Sequence, residues 1–360
     1  MATPVRGAHG ARFDARLRDV AKRRASYHTS SYSLTARSTS SVRRRAIDDA
    51  RDVVVVTGAL ERLAQTCAVA LKEDDERRDI CAWLPRRAFE GVKNPFDARA
   101  TELKYPNENA LKLMTNAGVG LANAEEEEVA RACARRATMI VFADENSKEL
   151  RASVERWMTY IDRGEAKNVR RIVVVSRVGV ERRSEEPWRY VNRKTFRGGA
   201  PLDDCFEAER AVRARAVAKV QTSGKQSGFT YTMVRVGELR GNGPTSVVYG
   251  DYALTLVDNA FDVRMQDIAV ERGDTFGQEF TKRASAAAFA NRMLTTSRYD
   301  VLNAAFSVVS VGPVPRERRM GYDVAKGRSP PPVSDREIDE ALAPDDGDVE
   351  TAPEGAPAPA

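Results

Sequence analysis

The stretch Asp52-Val-Val-Val-Val-Thr-Gly-Ala-Leu-Glu-Arg-Leu-Ala-Gln-Thr-Cys-Ala-Val-Ala-Leu71 decides the fold. Four consecutive valines make a strand that is apolar on both faces, the pattern of an interior strand in a parallel sheet. Thr57-Gly58-Ala59 supplies a tight turn. A helix follows, with apolar positions at Leu60, Leu63, Cys67 and Leu71. Strand, glycine turn and helix in this order open an α/β sheet of the dinucleotide-binding kind. Only Gly58 of the usual glycine fingerprint is present, since Glu61 and Ala64 stand where further glycines would fall. A carboxylate at position 61 would lie where a pyrophosphate approaches the helix N-terminus, and it would repel that anion.

Downstream, strand and helix patterns alternate. Asp79–Leu84, Val119–Asn123, Thr138–Ala143, Arg171–Ser176 and Phe229–Val236 read as strands. Glu125–Arg136, Ser147–Asp162, Leu202–Thr222 and Thr281–Leu294 read as helices, and Ala305–Val311 as a last strand. The roughly thirty residues before Asn116 read as an irregular surface excursion. Alternation of this kind predicts right-handed crossovers and a Rossmann-like doubly wound parallel sheet, one domain over 47–320. A small mixed extension, with some antiparallel pairing, is expected between Leu254 and Val270.

The chain of 360 residues carries a formal charge of +6, but unevenly. Residues 1–46 hold eleven Lys/Arg against two acids and are rich in Ser and Thr. The remainder is slightly acidic, with 47 basic and 50 acidic residues. An Arg-rich, hydroxyl-rich, acid-poor leader matches an organellar transit peptide, with chloroplast preferred to mitochondrion. A disordered basic arm for RNA or an anionic membrane is the alternative. With the leader removed the body is no nucleic-acid binder by charge. No apolar run reaches the length of a transmembrane helix. Residues 321–360 hold seven of sixteen prolines and ten acids against three bases, and are expected to be a disordered acidic tail.

Both histidines, His9 and His28, fall in the leader. The body therefore cannot run Ser-His-Asp hydrolysis, Cys-His proteolysis or His-ligated zinc chemistry. Cys67, Cys81, Cys133 and Cys205 show no C-x-x-C spacing, so no metal site is expected and small buried hydrophobes are the plainer reading.

The body resembles the atypical short-chain dehydrogenase/reductase family, especially its NAD(P)-binding, NmrA-like branch of plastids. The likeness rests on Val53–Ala59, on Arg171–Val180, on Glu207-Ala-Glu-Arg, on Ser227–Gly241 and on Lys282–Ala287, in that order along the chain. The resemblance implies a nicotinamide cofactor near Thr57, Gly58, Ala59, Ala143, Arg235 and Gly237. It puts Arg86 and Arg87 beside a ribose 2′-phosphate, which favours NADP over NAD. Asn123 stands where the family commonly has an adenine-contacting Asp.

In that family a tyrosine donates a proton, a lysine four residues on lowers its pKa, and a serine polarises the carbonyl. Ser176, Tyr190 and Lys194 match this set. Gly198-Gly-Ala-Pro201 would break the helix they need, however. Aligning the intact helix Leu202–Thr222 through Glu209 instead puts Pro201 and Cys205 at the tyrosine and lysine positions. This second alignment is preferred. It implies a weakly active or non-catalytic scaffold, assembly or redox-responsive factor with a protein partner in the organelle. The first alignment implies an active NADP-dependent reductase.

Overall fold

The computed structural model describes residues 52–89, 107–193, 199–223, 228–241, 267–312 and 333–343. Residues 51–360 form one compact unit. Its strands are β1 (Val53–Thr57), β2 (Asp79–Leu84), β3 (Gly120–Asn123), β4 (Met139–Phe142), β5 (Arg171–Arg177), β6 (Thr230–Val236), β7 (Glu238–Arg240), β8 (Asp267–Arg272), β9 (Phe280–Lys282) and β10 (Ala304–Val311). Its helices are α1 (Arg62–Asp74), α2 (Asn107–Asn116), α3 (Glu127–Arg136), α4 (Ser147–Asp162), α5 (Trp188–Val191), α6 (Pro201–Ser223), α7 (Arg283–Thr295) and α8 (Asp335–Ala341).

Eight strands form one sheet in the order β3-β2-β1-β4-β5-β6-β10-β8. Every pairing is parallel except β10 with β8, which is antiparallel. This is the expected doubly wound α/β sheet; of the mixed extension read at 254–270, residues 254–266 lie outside the described residues, and β8 supplies an antiparallel edge from Asp267 onward. The short strands β7 and β9 pair in parallel as a separate ribbon.

Period-two alternation assigns the two faces. Val54 and Val56 of β1 join Val173 and Val175 of β5 against α1 and α7, where Leu63, Leu71, Phe289 and Met293 pack. Val55, Ile172 and Val174 point the other way, against Trp157 of α4 and Val212 of α6. The valine run of β1 is buried on both sides because helices cover both sides.

Two expectations are corrected. The stretch before Asn116 ends in the helix α2, so the excursion is not irregular throughout. The region beyond Gly321 contains α8, with Ser334 and Glu337 forming a reciprocal capping box and Ile338 fully buried. The leader and the rest of the tail lie outside the described residues. Among the described residues no helix is long and apolar enough to cross a membrane.

Candidate functional site

Strand order reverses between β1 and β4, and in an open parallel sheet the crevice at that reversal, above the carboxyl ends of the strands, receives the ligand. β1 delivers Gly58 there and β4 delivers Asp144 and Glu145. Gly58 has φ +73°, and a Cβ at this position would lie 2.6 Å from the Asp144 Cα, so the two connections touch and only glycine fits. Thr57 and Ser153 donate hydrogen bonds to the Asp144 carboxylate, at 2.5 and 3.1 Å. Burial nevertheless pushes the Asp144 carboxyl up to about 6.

The N-terminus of α1, the place for a pyrophosphate, is filled by a side chain of the same molecule. Leu63 N–H donates to Glu145 Oε1 at 2.9 Å. Arg283, the first residue of α7, donates to both Glu145 oxygens, at 2.9 and 2.8 Å. Burial opposes ionisation of Glu145, but the hydrogen bonds and charge of Arg283 outweigh it and hold the carboxyl below its usual range. Glu145 is thus the anion in the anion site.

Glu61 plays another part than the one expected from the sequence. Its carboxyl accepts the backbone N–H of Glu145. Burial, together with Glu145 and Asp144 nearby, raises it to about 8. Glu61 therefore holds its proton well above the usual carboxylate range, and Glu145 is the carboxylate kept ionised at the helix N-terminus.

Two clefts flank this ridge, and Asp144 lines both. One, of about 470 Å³, runs over Gly58, Glu61, Trp83, Arg86, Arg87 and Arg156, on the side of β2 where an adenosine would lie. Arg87 meets Glu149 at 2.8 Å, both exposed, and the Arg86 backbone N–H donates to Glu125 at 3.3 Å. Asn123 ends β3 and accepts the N–H of Glu125. The other cleft, of about 570 Å³, lies beyond β5 and β6 and is lined by Ser176, Trp188, Cys205, Gly237 and Arg283 among others. Gly237 is needed there because a Cβ would fall 2.1 Å from the Glu279 carbonyl oxygen.

The sequence-derived residues divide accordingly. Gly58, Arg86 and Arg87 line the first cleft and Gly237 the second. Thr57, Ala59 and Ala143 are fully buried beneath them. Arg235 is fully buried, and its guanidinium donates to Glu209 at 3.0 and 2.7 Å and to Glu181 at 2.6 Å in an ion-pair network.

Ser176 is 2% exposed and lines the second cleft, with its Oγ lacking a hydrogen-bond partner among the described residues. Tyr190 does not join it. It sits on the four-residue α5, 48% exposed, donating its hydroxyl to Glu186 at 2.8 Å. Lys194 lies outside the described residues. The long helix that runs past this cleft is α6, and it offers Pro201 and Cys205, whose buried thiol is pushed up to about 12.

Glu145 was not singled out from the sequence, and Arg283 entered only within the Lys282–Ala287 motif. The available signal was Asp144-Glu145 directly after the fourth strand, at the reversal point opposite Gly58.

Residues 107–297, more than half of the chain, match the family described as NAD(P)H-binding. The chain belongs to the NAD(P)H-binding family. This agrees with the resemblance to atypical short-chain dehydrogenases/reductases drawn from the sequence motifs. Among solved structures, this NAD(P)H-binding chain is similar to a short-chain dehydrogenase/reductase from Veillonella parvula DSM 2008. The two are 12% identical, with 73% of this chain and 95% of that one covered and a TM-score of 0.46. It is similar to ChuY, an anaerobillin reductase from Escherichia coli O157:H7, at 17% identity, 73% and 99% coverage and a TM-score of 0.40. Gre2 from Candida albicans in complex with NADPH gives 12%, 81% and 93%, and 0.43. No curated protein matches.

Proposed function

We propose that this NAD(P)H-binding chain is an organellar factor that takes up a nicotinamide dinucleotide as a structural or signalling ligand and does not reduce a substrate through a Tyr-Lys pair. The observation that carries this reading is the unbroken helix α6, with Cys205 in the wall of the second cleft: the alignment through Glu209 puts Pro201 and Cys205 at the positions of a proton-donating tyrosine and its lysine. Neither side chain replaces them: proline has no titratable group, and a thiol raised to about 12 is no cation. Tyr190 is engaged with Glu186 at the surface, with the Arg189 and Arg193 guanidiniums over its ring at 5.6 and 4.6 Å.

NADP is the preferred dinucleotide. The Arg87–Glu149 pair is exposed, and such pairs are worth at most about 1 kcal/mol, so a dianionic 2′-phosphate competes well for Arg87. The basic leader directs the chain to the chloroplast, and the body acts there on a protein partner rather than on nucleic acid.

The test is calorimetric titration of the protein with NADPH and NADH, paired with a continuous assay of NADPH oxidation over a panel of carbonyl compounds. Binding of NADPH with no turnover is expected. Turnover abolished by Tyr190→Phe would replace this reading by an active NADP-dependent reductase, for which the unpartnered Ser176 Oγ in the cleft wall is the supporting feature.

A further inference from the structure

Cys81 on β2 and Cys133 on α3 are far apart in sequence, yet their sulfurs lie 3.4 Å from one another. We propose that these two residues form a redox-modification site, converted by a peroxide into an intrachain disulfide that joins β2 to α3. Three observations single out this pair. Both residues are partly exposed, whereas Cys67 and Cys205 are buried. The sulfurs already touch, with the Cys133 thiol donating to Cys81. Arg136, one turn beyond Cys133 and held by Asp79 at 3.0 Å, adds positive charge beside them.

The roles follow from this geometry. The hydrogen bond from Cys133, then the charge of Arg136, lower the Cys81 thiol below its usual range, although burial opposes them. The Cys133 thiol is raised. Cys81 is therefore the attacking sulfur, because the thiolate is the nucleophile. Burial pushes the Cys67 and Cys205 thiols up to about 12, which leaves them inert.

With hydrogen peroxide the chemistry runs in two steps. The Cys81 thiolate attacks a peroxide oxygen and the O–O bond breaks. Hydroxide leaves and takes up a proton to become water, and Cys81 becomes a sulfenic acid. The Cys133 sulfur then attacks the Cys81 sulfur. The S–S bond forms, the S–O bond breaks, and the hydroxyl departs with the Cys133 proton as a second water. The two thiols lose two electrons and the peroxide gains them.

The bond would act on the first cleft. Trp83, two residues beyond Cys81 on the same face of β2, lines that cleft and packs on Trp157 with ring centroids 5.1 Å apart. Tying β2 to α3 fixes the strand that carries this wall.

The experiment treats the full chain with a small excess of hydrogen peroxide, stops the reaction with catalase, and alkylates all remaining thiols after denaturation. Intact mass and peptide mapping are then read. The count of alkylatable thiols is expected to fall from four to two, with a linked peptide pair containing Cys81 and Cys133, and dithiothreitol should restore four. Cys133→Ser should give no linked pair and should let dimedone trap a sulfenic acid at Cys81. Retention of four thiols would overturn the proposal. So would separate oxidation of the two sulfurs without a link, or a link involving Cys67 or Cys205.

Discussion

Glu145 sets the energetics of the crevice. A carboxylate at the N-terminus of α1 gains from the exposed N–H groups and from Arg283, so an incoming pyrophosphate must displace it. Glu145→Ala removes the competitor and leaves both the Leu63 N–H and Arg283 facing the crevice. An effect of about 1–2 kcal/mol is expected, or roughly tenfold tighter NADPH binding by calorimetry. Equal affinity in the two proteins would mean that the pyrophosphate does not cross α1. The neighbouring carboxyls set a pH dependence. Glu61 and Asp144 have folded-state values raised to about 8 and about 6. A raised carboxyl binds its proton more tightly in the folded protein than in the unfolded chain. Its contribution to stability is full below the unfolded value and is lost as pH rises through the folded one. Melting temperature should therefore decline from about pH 5 to pH 8, and Glu61→Gln should flatten the upper half of that decline. A flat profile in the unsubstituted protein would place both carboxylates in water. The sequence pointed to Glu61 at the start of α1, and in the structure Glu145 shares that place and is the acid held ionised. Residue 61 is adjacent to the turn in sequence, whereas burial and the pairing with Arg283, 138 positions away, decide which acid is charged.

Longer segments were read more surely, for a physical reason. The runs Val53–Val56 and Arg171–Ser176 are strands because both faces of each are covered, and that leaves an unbroken apolar signature. Helix α4 was legible to both ends, with Asn146 accepting the Lys148 N–H at its start. α8 was hidden because it is only seven residues long, lies in a proline-rich acidic stretch, and buries a single apolar side chain fully. Its Ser334-Asp-Arg-Glu337 box was the sequence signal. The helix is held by Ile338, fully buried, and by Arg292 of α7, which reaches Asp335 at 3.1 Å and also pairs with Asp339. Ile338→Ala should cost about 2–4 kcal/mol, which lowers the melting temperature by roughly 5–10 °C. Arg336→Ala, which removes an exposed pair with Glu340, should leave it within about 1 °C. Equal, small effects of both would show that α8 adds nothing to the folded unit. Of the Tyr190–Lys194 match, only Tyr190 falls among the described residues. A tyrosine and a lysine four apart act together only on a continuous helix face, and Tyr190 lies on a single turn that ends at Val191.

Charge is partitioned unevenly along the chain. The net positive charge belongs to residues 1–46, while the part carrying the sheet and both clefts has a slight acidic excess. Residues 51–360 also close as one compact unit by themselves. A leader with no periodic apolar face has little to contribute to that core, since stability comes from apolar surface removed from water. Deleting residues 1–46 should therefore leave the thermal midpoint unchanged within about 1 °C by calorimetry. The same deletion should reverse the behaviour of the protein toward polyanions. The full chain is expected to bind a heparin column at low salt and to elute as salt rises, because Arg and Lys neutralise sulfates and release counterions. The shortened chain should pass through. Retention of the shortened chain would locate a basic patch on the folded unit and reopen nucleic-acid binding. A drop of several degrees in the midpoint would mean instead that the leader packs on the body, and the case for its removal in an organelle would fall with it.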